Sequence, residues 1–320
     1  MIICEFKDGQ GLGNQLWNYA TARSISDKLS MDFKVLGYQY YKGHGFLNID
    51  KGSSAEVEEY LVFYEALYYD KELKYLASGY DDNVLKINGN TKLEGLFQSE
   101  KYFYGNINRI KSYFNTSTLV KNTKITSETC VLNIRGGEYK LHKKFLLPKE
   151  YWVNAVNLMK RMYKINNFII VTDDKKYART LFPNLEIISD DIHLCFSSLF
   201  HSKYIIVSNS TFAYFPIKLS SEKKIVFAPK YWARYNNIYN RWASPANFYE
   251  DWFWLSKDGL IENSLECKKI AEDTEKHYKN TFHIHYNELF YKKNYLFFLS
   301  NKTKIKIKNI LSHIFPKHIG

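Results

Sequence analysis

The stretch Val131–Tyr139 reads V-L-N-I-R-G-G-E-Y and places an arginine where a short apolar strand should end. Gly136 and Gly137 let the backbone turn tightly there and bare its N–H groups. A guanidinium fork beside free backbone donors suits a phosphate. The plainer reading is a strand running into a Gly-Gly turn with a surface arginine. A second chemical stretch lies near the start, where Ile2–Phe6 reads as a strand and is followed by Asp8-Gly9-Gln10-Gly11-Leu12-Gly13-Asn14-Gln15. A helical pattern from Leu16 towards Leu29 comes next, so helix N-terminal amides could face a ligand. The spacing G-x-G-x-G-N is not the dinucleotide fingerprint G-x-G-x-x-G, and no acid follows a second strand at the distance that fingerprint requires.

The elements that must carry these residues are most legible after Cys130. Apolar runs at Val131–Ile134, Phe168–Val171, Leu185–Ile188, Tyr204–Val207 and Lys224–Ala228 alternate with helical patterns at Lys149–Tyr163, Lys175–Phe182 and Asp190–Phe200, and with a helix through Leu219 into which Ser208-Asn209-Ser210-Thr211 leads. Short apolar strands separated by helices of about ten residues predict a parallel, doubly wound α/β sheet. Ligands of such sheets bind beyond the carboxyl ends of the strands. Three polar clusters fall at those ends: Arg135–Glu138, Thr172–Asp174 and Ser208–Phe212. Taken alone, Asp173-Asp174, like Asp190-Asp191, and Ser210 or Thr211 are also good helix N-caps. Their joint placement on one rim favours a site, with Asn209, Ser210 and Thr211 resembling a phosphate cradle that Arg135 completes.

Earlier in the chain, 37–52 reads as a loop, Ala55–Leu76 as an interrupted helix and Lys92–Phe97 as a strand. Gln98-Ser99-Glu100 is expected to cap a helix running to about Phe114. The expected division is an N-terminal α/β domain over 1–125, a doubly wound domain over 126–245, and a helical segment with a basic tail over 246–320.

Composition narrows the class. The 320 residues, 45% hydrophobic, are enough for two domains with sizeable cores and exclude wholesale disorder. Four scattered cysteines without a C-x-x-C pair argue for reduced thiols rather than zinc or a disulfide framework. His283 and His285 read as surface histidines, not metal ligands. The net charge is +12, and seven lysines with no acid lie between Leu289 and Gly320, leaving about +5 for the body (12 less 7). That body is not basic enough to predict a nucleic-acid partner. Lysines alternating with Leu, Ile and Phe over 294–319 suggest contact with an anionic membrane surface. No signal peptide is visible, and no run of about 18 apolar residues that would span a bilayer.

Six landmarks in order resemble the bacterial α-1,2-fucosyltransferases, glycosyltransferase family eleven. They are Gly11–Leu16, Leu96–Phe103, Asn133–Tyr139, Val171–Asp174, Ser208–Phe212 and Ala228–Trp232, spanning about residues 1–235. The resemblance implies a GT-B-like fold of two Rossmann-like domains and an inverting transfer of fucose from GDP-fucose, without a metal or other cofactor. The expected acceptor is a galactose-type hydroxyl in capsule, O-antigen or related surface-glycan synthesis, with the basic tail holding the enzyme at the inner face of the cell membrane. Carried over by position, Arg135 would bind the donor diphosphate and Asn14 would reach the cleft; with Glu138, the first candidate for the carboxylate that takes the acceptor proton or else a structural acceptor for the Gly-Gly turn, they are the expected catalytic set. Gly11, Gly13, Gln15, Asn133, Asp173, Asn209, Ser210, Thr211 and Phe212 would bind the donor. The motif H-x-R-R-G-D-Y departs at three places: Asn133 replaces its histidine, Gly136 its second arginine and Glu138 its aspartate. Those departures leave open a different nucleotide sugar, or a non-catalytic glycan- or nucleotide-binding protein.

Overall fold

Ile2, Ile3 and Cys4 are almost wholly buried, and their strand, Ile2–Glu5, is an inner strand of a four-stranded parallel sheet. Its neighbours are Phe33–Leu36 on one side and Thr91–Glu94 on the other, with Leu61–Tyr64 at the far edge. The helix Leu12–Leu29 returns the chain from the first strand to Phe33. Residues on nearly all its faces are buried, among them Leu16, Trp17, Tyr19, Ala20 and Ile25. A helix so enclosed packs on more than one partner. Trp17 stacks on Tyr214 from the second half of the chain, with ring centroids 4.3 Å apart, and meets Phe215 edge-on at 5.4 Å. The computed structural model describes residues 1–103, 107–281 and 283–284. The basic tail and the side chains of the His283/His285 pair therefore lie outside the described residues.

The second sheet has six parallel strands in the order Glu186–Ile188, Asn167–Thr172, Thr129–Ile134, Tyr204–Val207, Ile225–Pro229, Phe253–Leu255. Numbered by their sequence within this sheet, that is 3-2-1-4-5-6. The order reverses between Thr129–Ile134 and Tyr204–Val207, so a crevice opens beyond their carboxyl ends. The helix Lys149–Tyr163 covers one face with Tyr151, Trp152, Ala155 and Met159. The other face shares one continuous core with the first sheet and the Leu12–Leu29 helix. Two α/β units facing one cleft give the GT-B-like architecture.

Three expectations are corrected. Ala55–Leu76 is not helical but forms the strands Leu61–Tyr64, Leu67–Asp70 and Tyr75–Ser78. Its aromatic and aliphatic runs have strand propensity, and they reach two different sheets because Glu65-Ala66 redirects the chain. The helix expected after Ser99 is a short turn, Glu100–Tyr102, capped by Ser99, with a separate helix at Ile107–Ser112. The second sheet also continues past residue 245, adding Phe253–Leu255 with its buried Trp254 after a loop whose Trp232, Trp242, Tyr249 and Trp252 are also buried. The helix Ser264–Thr281 then crosses back to the first unit, where Tyr278 stacks on Tyr68 and Glu275 pairs with Lys101 at 2.5 Å.

Candidate active site

Between the units lies a cleft of about 600 Å³. The glycine turn Gly9–Asn14 and Gln98 form part of one wall. Asn133–Arg135, Thr172-Asp173 and Asn209–Phe212 form the other, at the reversal point of the second sheet. A shallower groove of about 420 Å³ holds Arg23 and Arg109, but these pair with Asp50 and Asp27.

The two walls meet through Gly13. A Cβ at this position would stand 2.7 Å from both Phe212 N and Thr211 Oγ1. Only glycine lets the helix start approach that loop so closely. Asn14 Oδ1 then accepts hydrogen bonds from Thr211 Oγ1 at 3.0 Å and from Gln98 Nε2 at 3.1 Å. Three stretches far apart in sequence are thus tied at one carbonyl oxygen.

Arg135 leaves the strand Thr129–Ile134 and is held on both sides by acids. Its Nη1 lies 2.8 Å from Asp173 Oδ2, its Nη2 donates to Glu138 Oε1 at 3.1 Å, and its guanidinium sits over the Tyr139 ring. Burial works against the charge, but Asp173, Tyr139 and Glu138 outweigh it and hold the arginine's pKa above its ordinary value. Asp173 also accepts from Gly136 N at 2.9 Å. The two glycines are required by this packing. A Cβ on Gly136 would meet Asp174 and Tyr177 at 2.8 Å, and one on Gly137 would meet Asp173 Oδ2 at 2.2 Å. An arginine at position 136 has no room beside Tyr177.

The neighbouring acids divide their duties. Asp174 caps the helix Lys175–Leu181 through Tyr177 N, and its pairing with Lys140 lowers its pKa despite burial. Asp191 caps the helix Ile192–His201. Capping explains these two, whereas Asp173 serves Arg135. Ser210 Oγ accepts from Phe212 N and so acts as a cap while lining the cleft.

Asn133 Oδ1 and Asn209 Oδ1 are buried and have no hydrogen-bonding partner among the described residues. Buried polar atoms are ordinarily satisfied, so orphaned acceptors on a cleft wall suit ligand donors. Gln15 is the exception among the expected site residues. It is wholly buried and does not line the cleft. One step along a helix rotates a side chain by about 100°, which turns Gln15 away from the face that presents Asn14. Its amide holds the adjacent loop instead, donating to Tyr40 O at 2.7 Å and accepting from Lys42 N at 3.0 Å.

Sequence reading missed Lys42, Tyr75, His142, Phe145 and Asp190, all of which line the cleft. It also missed Glu65, a wholly buried carboxylate behind the wall. Glu65 Oε2 accepts from Leu96 N and Phe97 N, both at 2.7 Å, and Oε1 accepts from Ser78 Oγ and Tyr102 OH. These bonds hold Phe97 in the left-handed region, at φ 49°, and set the turn that presents Gln98. Burial nonetheless pushes the Glu65 pKa up to about 7. Among the described residues, no three His, Cys, Asp or Glu side chains gather as a metal site would need, and no helix is long and apolar enough to cross a membrane.

No family model matches the chain. It is 25% identical to the O-antigen biosynthesis glycosyltransferase WbnK of Escherichia coli over 289 residues, covering 71% of this chain and 94% of that one. Among solved structures, the fucosyltransferase NodZ from Bradyrhizobium matches with a TM-score of 0.38 at 12% identity, covering 68% of this chain and 93% of that one. The heptosyltransferase WaaC of E. coli, solved with ADP, gives 0.43 at 9% identity, covering 86% of this chain and 100% of that one. Structural likenesses of that degree carry no weight for the activity. The sequence relation to WbnK makes the chain a distant homologue of a glycosyltransferase and supports that activity.

Proposed function

We propose that this chain is an inverting glycosyltransferase of surface-polysaccharide synthesis, moving fucose from GDP-fucose to a hydroxyl of a galactose-type acceptor. One observation carries the reading. Gly11–Asn14, Arg135 and Ser210–Phe212, far apart in sequence, line one cleft where the second sheet reverses its order.

The acceptor hydroxyl attacks the anomeric carbon from behind. The new bond joins acceptor oxygen to that carbon while the bond from carbon to diphosphate oxygen breaks. Arg135 and the backbone amides of Asn209–Thr211 stabilise the charge on the leaving diphosphate, the larger share of such catalysis. The diphosphate competes with Glu138 and Asp173 for the guanidinium. Glu138, released from Arg135, takes the hydroxyl proton. Asn14 holds the two walls in register, Asn133 and Asn209 offer their open carbonyl oxygens to the donor, and no metal takes part in the scheme. The basic tail seats the enzyme on the anionic inner face of the cell membrane, where a lipid-linked acceptor would be presented.

A second reading keeps the fold and changes the donor. The space at Gly136 is closed by Asp174 and Tyr177, so the donor side has one arginine fewer than the motif it resembles. Incubating the full chain with GDP-fucose, GDP-mannose and UDP-sugars in the presence of galactose-terminated acceptors separates the two. Mass spectrometry of the acceptor should show a deoxyhexose added from GDP-fucose alone. Transfer from another donor would support the second reading, and nucleotide binding without turnover of any donor would indicate a binding protein.

A further inference from the structure

Lys42 is the one cationic side chain that the first unit contributes to the described lining of the cleft. It sits at the tip of a loop fastened at several points. Tyr41, just before it, is buried, stacks on Phe6 with ring centroids 5.1 Å apart, and donates from its hydroxyl to Leu47 O at 2.7 Å. Gly43, just after it, lies against the Tyr41 ring so closely that a Cβ would stand 2.3 Å from the hydroxyl. The buried Gln15 amide grips the backbone at Tyr40 and at Lys42 itself.

A helix that spends a wholly buried amide on two backbone groups of one loop fixes where that loop's side chain begins. Lys42 itself remains exposed at the tip. Arg135 faces it from the opposite wall. Partial desolvation by the cleft walls and the Arg135 charge lower the Lys42 pKa, with Asp8 and Glu138 offsetting part of the effect. Two like charges across an open cleft repel, and a polyanion between them relieves both.

We infer that Lys42 is a donor-binding residue that shares the diphosphate of a nucleoside diphosphate with Arg135 from the opposite wall, and that Gln15 is its positioning residue. The inference rests on the nucleotide-sugar reading and adds to it a bridging anion that draws the two units together.

Calorimetric titration of the full chain with GDP, UDP and ADP, and with GMP as the monophosphate control, tests it. Lys42→Ala should weaken the best-bound diphosphate by about tenfold or more, the usual worth of a charge-assisted contact, and GMP by less than about threefold. Lys42→Arg should recover most of the loss. Gln15→Ala should lose part of the diphosphate affinity although Gln15 lines no part of the cleft, with its melting temperature showing that the fold persists. Wild-type affinity in Lys42→Ala would overturn the role of Lys42, and wild-type affinity in Gln15→Ala would overturn the positioning. A folded wild-type chain that binds none of the diphosphates would instead overturn the nucleotide-sugar reading itself, and the inference with it.

Discussion

Gly13 stands against Thr211 with no room for a side chain, since a Cβ there would sit 2.7 Å from both the backbone carbon and the hydroxyl of Thr211. Much of the crowding is from backbone, which cannot swing aside as a flexible side chain can. Gly13→Ala should therefore push the first unit away from the Thr211–Phe212 turn and cost about 1–3 kcal/mol of stability, as overpacking does. It should also break the hydrogen bond from Thr211 to Asn14 and weaken donor binding. Urea unfolding and nucleotide titration of the same variant measure both. Unchanged stability together with unchanged affinity would show that the contact is slack.

Glu138 reaches Arg135 at 3.1 Å, and its two duties predict different kinetics. Glutamine at 138 can still accept from the guanidinium but cannot take a proton. If Glu138 is the base, Glu138→Gln lowers kcat by about 10²–10⁴-fold and leaves the donor Kd within about threefold. A kcat within a few fold of wild type would make Glu138 a structural partner of Arg135 only.

Glu65 makes stability fall as pH rises. Its folded pKa is about 7 against an ordinary 4.5, so between those values the folded chain holds a proton that the unfolded chain has released. Stability is full below about pH 4.5 and declines up to about pH 7. At about 1.4 kcal/mol per pH unit, the decline over that window is about 3 kcal/mol. Glu65→Gln should remove this slope. A glutamine oxygen can accept from Leu96 N and Phe97 N while its NH₂ donates to Ser78 and Tyr102, whose hydroxyl can turn to Gly79 O, already 3.2 Å away. Urea midpoints measured from pH 4.5 to 7.5 should show a flatter profile in the variant. An identical slope in both proteins would contradict the assignment.

Arg234 is buried and ties the second unit to the first, donating to Leu73 O at 2.8 Å and Lys74 O at 2.6 Å while its guanidinium lies over Phe145 and Tyr75. Arg234→Ala orphans those carbonyls and uncovers the rings. Destabilisation of about 3 kcal/mol is expected in urea unfolding. Arg234→Lys should recover little of it, because a single ammonium cannot reproduce the fork. Full recovery by lysine would reduce the residue to a charge.

What was legible in the sequence follows from locality. Arg135, Asp173 and Ser210–Phe212 could be placed because strand ends in an alternating βα chain are readable from short windows, and the topology then gathers them on one rim. The glycines at 11, 13, 136 and 137 announced turns. What Gly13 and Gly137 approach, Thr211 and Asp173, depends on packing that no window contains. Gln15 was expected in the cleft because the resemblance places it there, yet helical rotation sends it to the loop behind. Lys42 sits in a loop without periodicity and Glu65 in a stretch that reads as helix, and the partners that fix them, Gln15 for Lys42 and Phe97 for Glu65, lie 27 and 32 residues away in sequence. Ala55–Leu76 misled because short strands bound for two different sheets mimic an interrupted helix.

In the proposed reaction Arg135 stabilises the diphosphate of a nucleotide-sugar donor during transfer. The most direct measurement is the initial rate of sugar transfer by Arg135→Ala, beside circular dichroism and a melting curve that establish its fold. Removing a preorganised donor of this kind should lower kcat/KM by about 10²-fold or more with the fold intact. A folded Arg135→Ala protein that transfers sugar at a near-normal rate would contradict the claim.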